Sequence, residues 1–192
     1  GNDYYETLEE AIAAAANYDY VNIQLVANAT LDYNAREAYG RDTTTDIIID
    51  GQGLYTLTLN QKDSDWSSIG MKNADGKLTL KNMTIEKTGY GDTSGAWNTH
   101  AIIFTCPVEM NNVTVNNSIA VQAGATLNNV DIVEANGYYG LWINGNGQAV
   151  EVNGGSITAT NGGRGIKIAD QYIDAPKQVT LNVTDTEFNT AK

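Results

Sequence analysis

At 192 residues and 42% hydrophobic content, the chain can bury a core as a single domain over 1–192, which excludes wholesale disorder. A net charge of −12 and a sequence pI near 4.3 speak against nucleic acid and anionic membrane surfaces as partners, and no apolar run reaches the ~20 residues of a membrane-spanning helix. A lone cysteine, Cys106, excludes an internal disulfide, while 19 glycines against 2 prolines point to many tight turns.

The first predicted element is a helix over about residues 5–17, centred on "TLEEAIAAAA" from Thr7 to Ala16. Thr7 as N-cap and Glu10 three residues on form a capping box, in which each side chain satisfies an amide of the other residue. Leu8, Ile12, Ala15 and Ala16 make its apolar face. A short amphipathic helix of this kind suits the open end of a stack of repeats. "VNIQLVANATL" (Val21 to Leu31) reads as the first strand, and "DIIIDGQGLYTLTL" (Asp46 to Leu59) as a buried strand, a glycine turn and a second strand.

From there the chain repeats. "LTLKNMTI" begins at Leu78, "VEMNNVTV" at Val108, "ATLNNVDI" at Ala125, "VEVNGGSI" at Val150 and "VTLNVTDTEF" at Val179. Each is a short alternating strand, a polar two-residue corner and another short strand. The positions read as equivalent, Leu80, Met110, Leu127, Val152 and Leu181, are spaced by 30, 17, 25 and 29 residues, so one flank varies while the corner is kept. Asn82, Asn112, Asn129 and Gly154 occupy the corner, and both residue types tolerate a left-handed backbone. Stacked Asn side chains are expected to bond along the axis.

A second strand family lies beside the first: "SIGMK", "AIIFT", "SIAVQ", "GLWIN" and "GIKIA". Period-two alternation turns Ile69/Met71, Ile102/Phe104, Ile119/Val121, Leu141/Ile143 and Ile166/Ile168 inward. Each coil therefore holds three strands and three turns, and the turn leading to the next coil is the variable one.

The "TLEEAI" helix, the "IIIDGQG" strand-turn and "LTLKNMTI" with its corner Asn resemble the pectate-lyase-like right-handed parallel β-helix superfamily over about the whole chain. The resemblance implies an all-β solenoid with a short N-terminal capping α-helix. It does not imply one activity, because the scaffold carries lyases, hydrolases, phage tailspikes and non-catalytic surface proteins. No C-terminal cap follows the strand-like "TDTEFNTAK", so the chain is expected to be part of a longer protein.

Catalytic sets are hard to assemble. His100 is the sole histidine; with Cys106 it brackets one strand, and no second His or Cys completes a zinc site. Inverting sugar hydrolysis needs two carboxylates roughly 6.5–9.5 Å apart. The resemblance implies acids on the outward positions of the second strand family, but those are Lys72, Ile103, Ala120/Gln122, Trp142/Asn144 and Lys167. The hydrolase motifs of that superfamily are absent. Asp42, Asp46, Asp50, Asp63 and Asp65 form acid-rich stretches without a fixed ligand spacing, so neither a metal nor a cofactor is expected.

The variable turns are richer. They bring Trp66, Tyr90, Trp97, Tyr138, Tyr139 and Arg164 to one side, next to a strand face carrying Ile103, Trp142 and Lys167. Exposed aromatics with a cation are the composition of recognition surfaces. The expected function is a non-catalytic adhesin or binding module of a secreted or cell-surface bacterial protein. It would be a monomer recognising a glycan or a host protein, for example a secreted glycoprotein such as an immunoglobulin. Two alternatives stand beside it: a polysaccharide lyase or glycoside hydrolase domain whose catalytic residues lie outside these 192 residues, and a structural stalk.

Overall fold

The computed structural model describes residues 3–15, 17–33, 46–62, 69, 76–90, 101–144, 147–169 and 177–190. Helix α1 spans Leu8–Ala15, the middle of the expected segment. Thr7 Oγ1 accepts the Glu10 amide at 3.2 Å and the Glu10 carboxylate accepts the Thr7 amide at 3.3 Å, so the capping box forms. Leu8, Ile12 and Ala15 join the main core.

Strands β1 (Tyr20–Gln24) and β2 (Ala29–Tyr33) replace the single strand expected from Val21 to Leu31. The chain turns a corner between them. Leu25 is buried there while Val26 is 72% exposed. The Leu25 amide bonds Asp50 O at 2.9 Å, and Asn28 Oδ1 accepts the Thr56 amide at 3.0 Å. A polar corner of this kind is invisible to an alternation count that runs straight through it.

The remaining strands are β3 (Asp46–Asp50), β4 (Thr56–Gln61), β5 (Leu78–Gly89), β6 (Ile102–Phe104), β7 (Val108–Asn116), β8 (Ile119–Val121), β9 (Ala125–Glu134), β10 (Tyr139–Asn144), β11 (Ala149–Ala159), β12 (Arg164–Ala169), β13 (Thr180–Thr184) and β14 (Glu187–Thr190). The pairings between them are parallel. One sheet runs β1-β3-β5-β7-β9-β11-β13, with β4 beside β5, β2 beside β4 and β14 beside β11; the other runs β6-β8-β10-β12. The result is a parallel β-solenoid of about 5 turns.

The corners do not end the strands. β5, β7, β9 and β11 each run through theirs as one element, because a left-handed residue (in β11 a pair, Gly154 and Gly155) bends the strand while the ladder continues on both sides. The left-handed residues are Asn82 (φ 53°), Asn112 (54°), Asn129 (52°), and Gly154 (73°) with Gly155 (74°). Asn112 Nδ2 donates to Asn82 Oδ1 at 3.2 Å, and Asn129 Nδ2 donates to Asn112 Oδ1 at 3.0 Å. A parallel ladder one residue earlier links Asn128 to Asn111 at 2.8 Å and Asn153 to Asn128 at 3.0 Å. Beside it, Lys77 Nζ lies 2.8 Å from Glu109 Oε2. The bond from Asn111 and then that from Lys77 hold the Glu109 carboxyl below its ordinary range.

The fifth repeat sits two residues away from its expected register. Val183, not Leu181, pairs with Val152, and the corner falls at Asp185 (φ 50°). A slip of two leaves every side chain on its original face, so alternation cannot detect it.

Most expected inward residues are buried: Ile69, Ile102, Phe104, Ile119, Val121, Leu141 and Ile143. Met71 lies outside the described residues. Ile168 is an exception at 55% exposure. It pairs with Ile143 and so shares the inward side, but β12 is the last strand of its sheet and, among the described residues, no further rung of that sheet covers it. Between α1 and the first rungs a cavity of about 20 Å³ is lined by Ile12, Leu31, Phe104 and Cys106, among others. Its lining is wholly apolar and offers a water no hydrogen-bond partner, so the space stays dry. Among the described residues, no helix is long and apolar enough to cross a membrane.

Candidate functional site

The outer face of the four-stranded sheet carries the site. Register aligns Ile103, Ala120, Trp142 and Lys167 in one outward row across β6, β8, β10 and β12. The first three are not a ligand-facing surface. With Ala101 they form a second small hydrophobic cluster, in which Ile103 and Trp142 are each 2% exposed. Both residues point outward as expected, but both are covered. This corrects the expectation that they touch ligand directly: large apolar side chains on the outside of a sheet are driven to bury against whatever packs there.

Lys167 ends the row and is half-buried. Its Nζ lies 4.9 Å from the centroid of the Trp142 ring and 4.7 Å from that of Tyr139. The ammonium is thus held on two aromatic rings, each contact contributing about 0.5–1 kcal/mol where solvent reaches it. Arg164, directly across from Tyr139 in the β10–β12 register, places its guanidinium carbon 5.8 Å from the same ring. Its Nη1 donates to the Tyr139 hydroxyl at 3.2 Å. Tyr138 meets Tyr139 edge-on, with centroids 5.8 Å apart and planes at 85°. Trp142 anchors this assembly from beneath; Tyr139, Arg164 and Lys167 present it.

Tyr139 faces outward for a reason that alternation misses. Leu141 and Ile143 point inward, and strict period two would turn Tyr139 inward with them. Gly140 breaks the rule. A Cβ there would stand 2.4 Å from Ile157 Cγ2 and 3.7 Å from Ile132 Cγ2, so this residue also faces the interior and the backbone closes onto the core. Gly165 does the same on the next rung, where a Cβ would lie 2.9 Å from Phe188 Cδ1. The two glycines drop out of the pairing register between Tyr139–Arg164 and Leu141–Ile166. The residue before each glycine, Tyr139 or Arg164, is thereby turned out.

The loop from β9 to β10 is pinned from inside. Glu134 is fully buried; Oε1 accepts the Asn136 amide and Oε2 the Tyr138 amide, both at 2.7 Å. Tyr138 O in turn accepts the Arg164 amide at 2.7 Å, and Tyr139 O accepts the Ser118 hydroxyl at 2.5 Å. Glu134 continues the inward alternation of Val130 and Ile132, so its burial was readable from parity, although a glutamate is seldom buried.

Of the other expected residues, Tyr90 stands on the turn after β5, two rungs before β9, and is 47% exposed. Trp66 and Trp97 lie outside the described residues, as do His100, Lys72, Asp42, Asp63 and Asp65. Cys106 is buried in the main core. Among the described residues, no three His, Cys, Asp or Glu side chains gather as metal ligands. The chain matches no protein-family description, no curated protein and no solved structure.

Proposed function

We propose that the chain is a non-catalytic binding module, a right-handed β-helix of the pectate-lyase-like kind in a secreted or cell-surface protein. It recognises a glycan or a host protein through the Tyr138–Tyr139–Arg164–Lys167 surface. The observation that carries this reading is the placement of two cations on one tyrosine ring, with Trp142 beneath. In a chain of net charge −12, Arg164 forms no ion pair among the described residues, and its guanidinium is oriented by an aromatic hydroxyl. Such an arrangement offers fixed donors to a carboxylate or sulfate and a flat ring edge to an apolar or sugar face. The outward row of the same sheet reads Ile103, Ala120, Trp142, Lys167, which supports binding over acid–base chemistry on that face.

The test is direct. The chain and its Arg164→Ala/Lys167→Ala variant are compared on an array of acidic and neutral glycans and against purified secretory immunoglobulin. Binding that drops at least about tenfold in the variant, the worth of one good charged contact, supports the reading. Binding indifferent to both substitutions, or no binding in either panel, overturns it. Turnover of an acidic polysaccharide, with or without Ca²⁺, overturns the non-catalytic half.

A further inference from the structure

We infer that Glu134 is a positioning residue: its buried carboxylate holds Tyr138 and Tyr139 in the orientation that receives Arg164 and Lys167. The functional meaning rests on the binding reading above; the geometric claim does not.

The solenoid interior runs in columns. Leu31 pairs with Leu59, Leu59 with Lys87, and Glu134 with Ala159. Asn117 continues this column one residue past the Glu86–Asn116 pair. The column therefore reads Leu, Leu, Lys, Asn, Glu, Ala, with the last four between 0% and 7% exposed. Leucine or alanine suits the position sterically on three rungs, so the fold itself does not demand a carboxylate. Burying one is costly unless its lone pairs are filled. At Glu134 they are filled by the loop that carries the site.

The loop is short and turns through a left-handed glycine. Gly137 sits at φ +84°, and Asn161 Nδ2 reaches over to Ala135 O. Gly163 presses on the carboxylate from the next rung, where a Cβ would stand 2.9 Å from Oε2 and 2.7 Å from Tyr138 O. The same column repeats the device with opposite polarity two rungs earlier. Lys87, 7% exposed, donates to Tyr90 O at 2.7 Å and so ties the turn after β5 from within. An inward charge at the end of the long strand thus fixes the backbone of the turn that follows.

The experiment needs no ligand. Ring currents of Tyr139 and Trp142 shift the side-chain protons of Lys167 upfield, and a ¹H–¹³C correlation spectrum reads that shift. In Glu134→Gln, an amide donor faces a backbone donor. The Lys167 shift should then move toward its free-lysine value, while the Asn136 and Tyr138 amides exchange about tenfold faster, as expected for the loss of one hydrogen bond. Asn112→Gly, a weakened variant at a distant corner, should keep both signatures. An unchanged Lys167 shift in Glu134→Gln, or an equal loss in Asn112→Gly, overturns the inference. Should Glu134→Gln fail to fold, Glu134→Asp, whose carboxylate is one methylene short of the two amides, is read by the same two outcomes. Binding is not measured, so a negative result leaves the ligand reading standing, and a missing ligand leaves this one standing.

Discussion

Asp50 Oδ1 accepts Asn82 Nδ2 at 3.1 Å, and that bond ends the asparagine ladder on a carboxylate. The same oxygen accepts the Gln52 amide at 2.8 Å, and Oδ2 lies 3.1 Å from Lys81 Nζ. The first rung of the corner is therefore ionic where the later ones are neutral.

That difference makes the corner sensitive to pH. Burial pushes the Asp50 carboxyl up, but the bonds from Gln52, Asn82 and Lys81, with the charge of Lys81, outweigh it and leave it below its ordinary range. A folded-state value below the unfolded one stabilises above the unfolded pKa of about 3.9, and that stability is lost as pH falls through the folded value. Asp50→Asn should cost about 1–3 kcal/mol at pH 7, the worth of bonds to a charged acceptor. The penalty should shrink toward pH 3. Urea unfolding at both pH values reads this; a penalty equal at the two would contradict the ionic role.

The neutral rungs separate two effects. Asn112 supplies both a left-handed backbone and two ladder bonds. Asn112→Ala loses both and should destabilise by about 2 kcal/mol. Asn112→Gly restores the backbone and should cost only about 1 kcal/mol. Equal costs for the two variants would show that φ is not what selects asparagine.

Gly140 should tolerate nothing larger. Its missing Cβ lets β10 close on Ile157, so Gly140→Ala forces the strand outward at about 1–3 kcal/mol and moves Tyr139 with it. Gly124→Ala, whose Cβ would meet its nearest neighbour, Ala149 O, at 3.5 Å, should stay within about 0.5 kcal/mol of the parent. Thermal melts of the pair, with the Lys167 proton shift as a second readout, check both claims. A silent Gly140→Ala would remove the explanation given for the outward tyrosine.

The two phenylalanines should behave oppositely. Phe104 is fully buried between rungs, and Phe104→Ala should cost about 3–5 kcal/mol. Phe188, on the last strand, is 47% exposed, and the same change should cost no more than about 1–2 kcal/mol. Comparable losses in chemical denaturation would mean that Phe188 is covered in solution.

Much of the candidate site is legible in the sequence. Tyr138, Tyr139, Arg164 and Lys167 lie together as their turns and register suggested. Parity puts Ile103 and Trp142 on the outer side of the sheet, and there both are buried at 2% exposure. Outwardness follows from parity along one strand. Exposure depends on what packs against the strand, which no local pattern records.

The sequence by itself determined the solenoid, its capping box and the Asn or Gly of its first four corners, because these follow from short-range rules: a period of two, a three-residue cap, a residue that accepts positive φ. Only the tertiary structure decided the split of the first strand, the two-residue slip of the last repeat and the outward turn at Gly140. It also decided that Glu134 spends its carboxylate on a loop. Those depend on which rung lies above and below, and stacking contacts join residues some 17 to 32 positions apart.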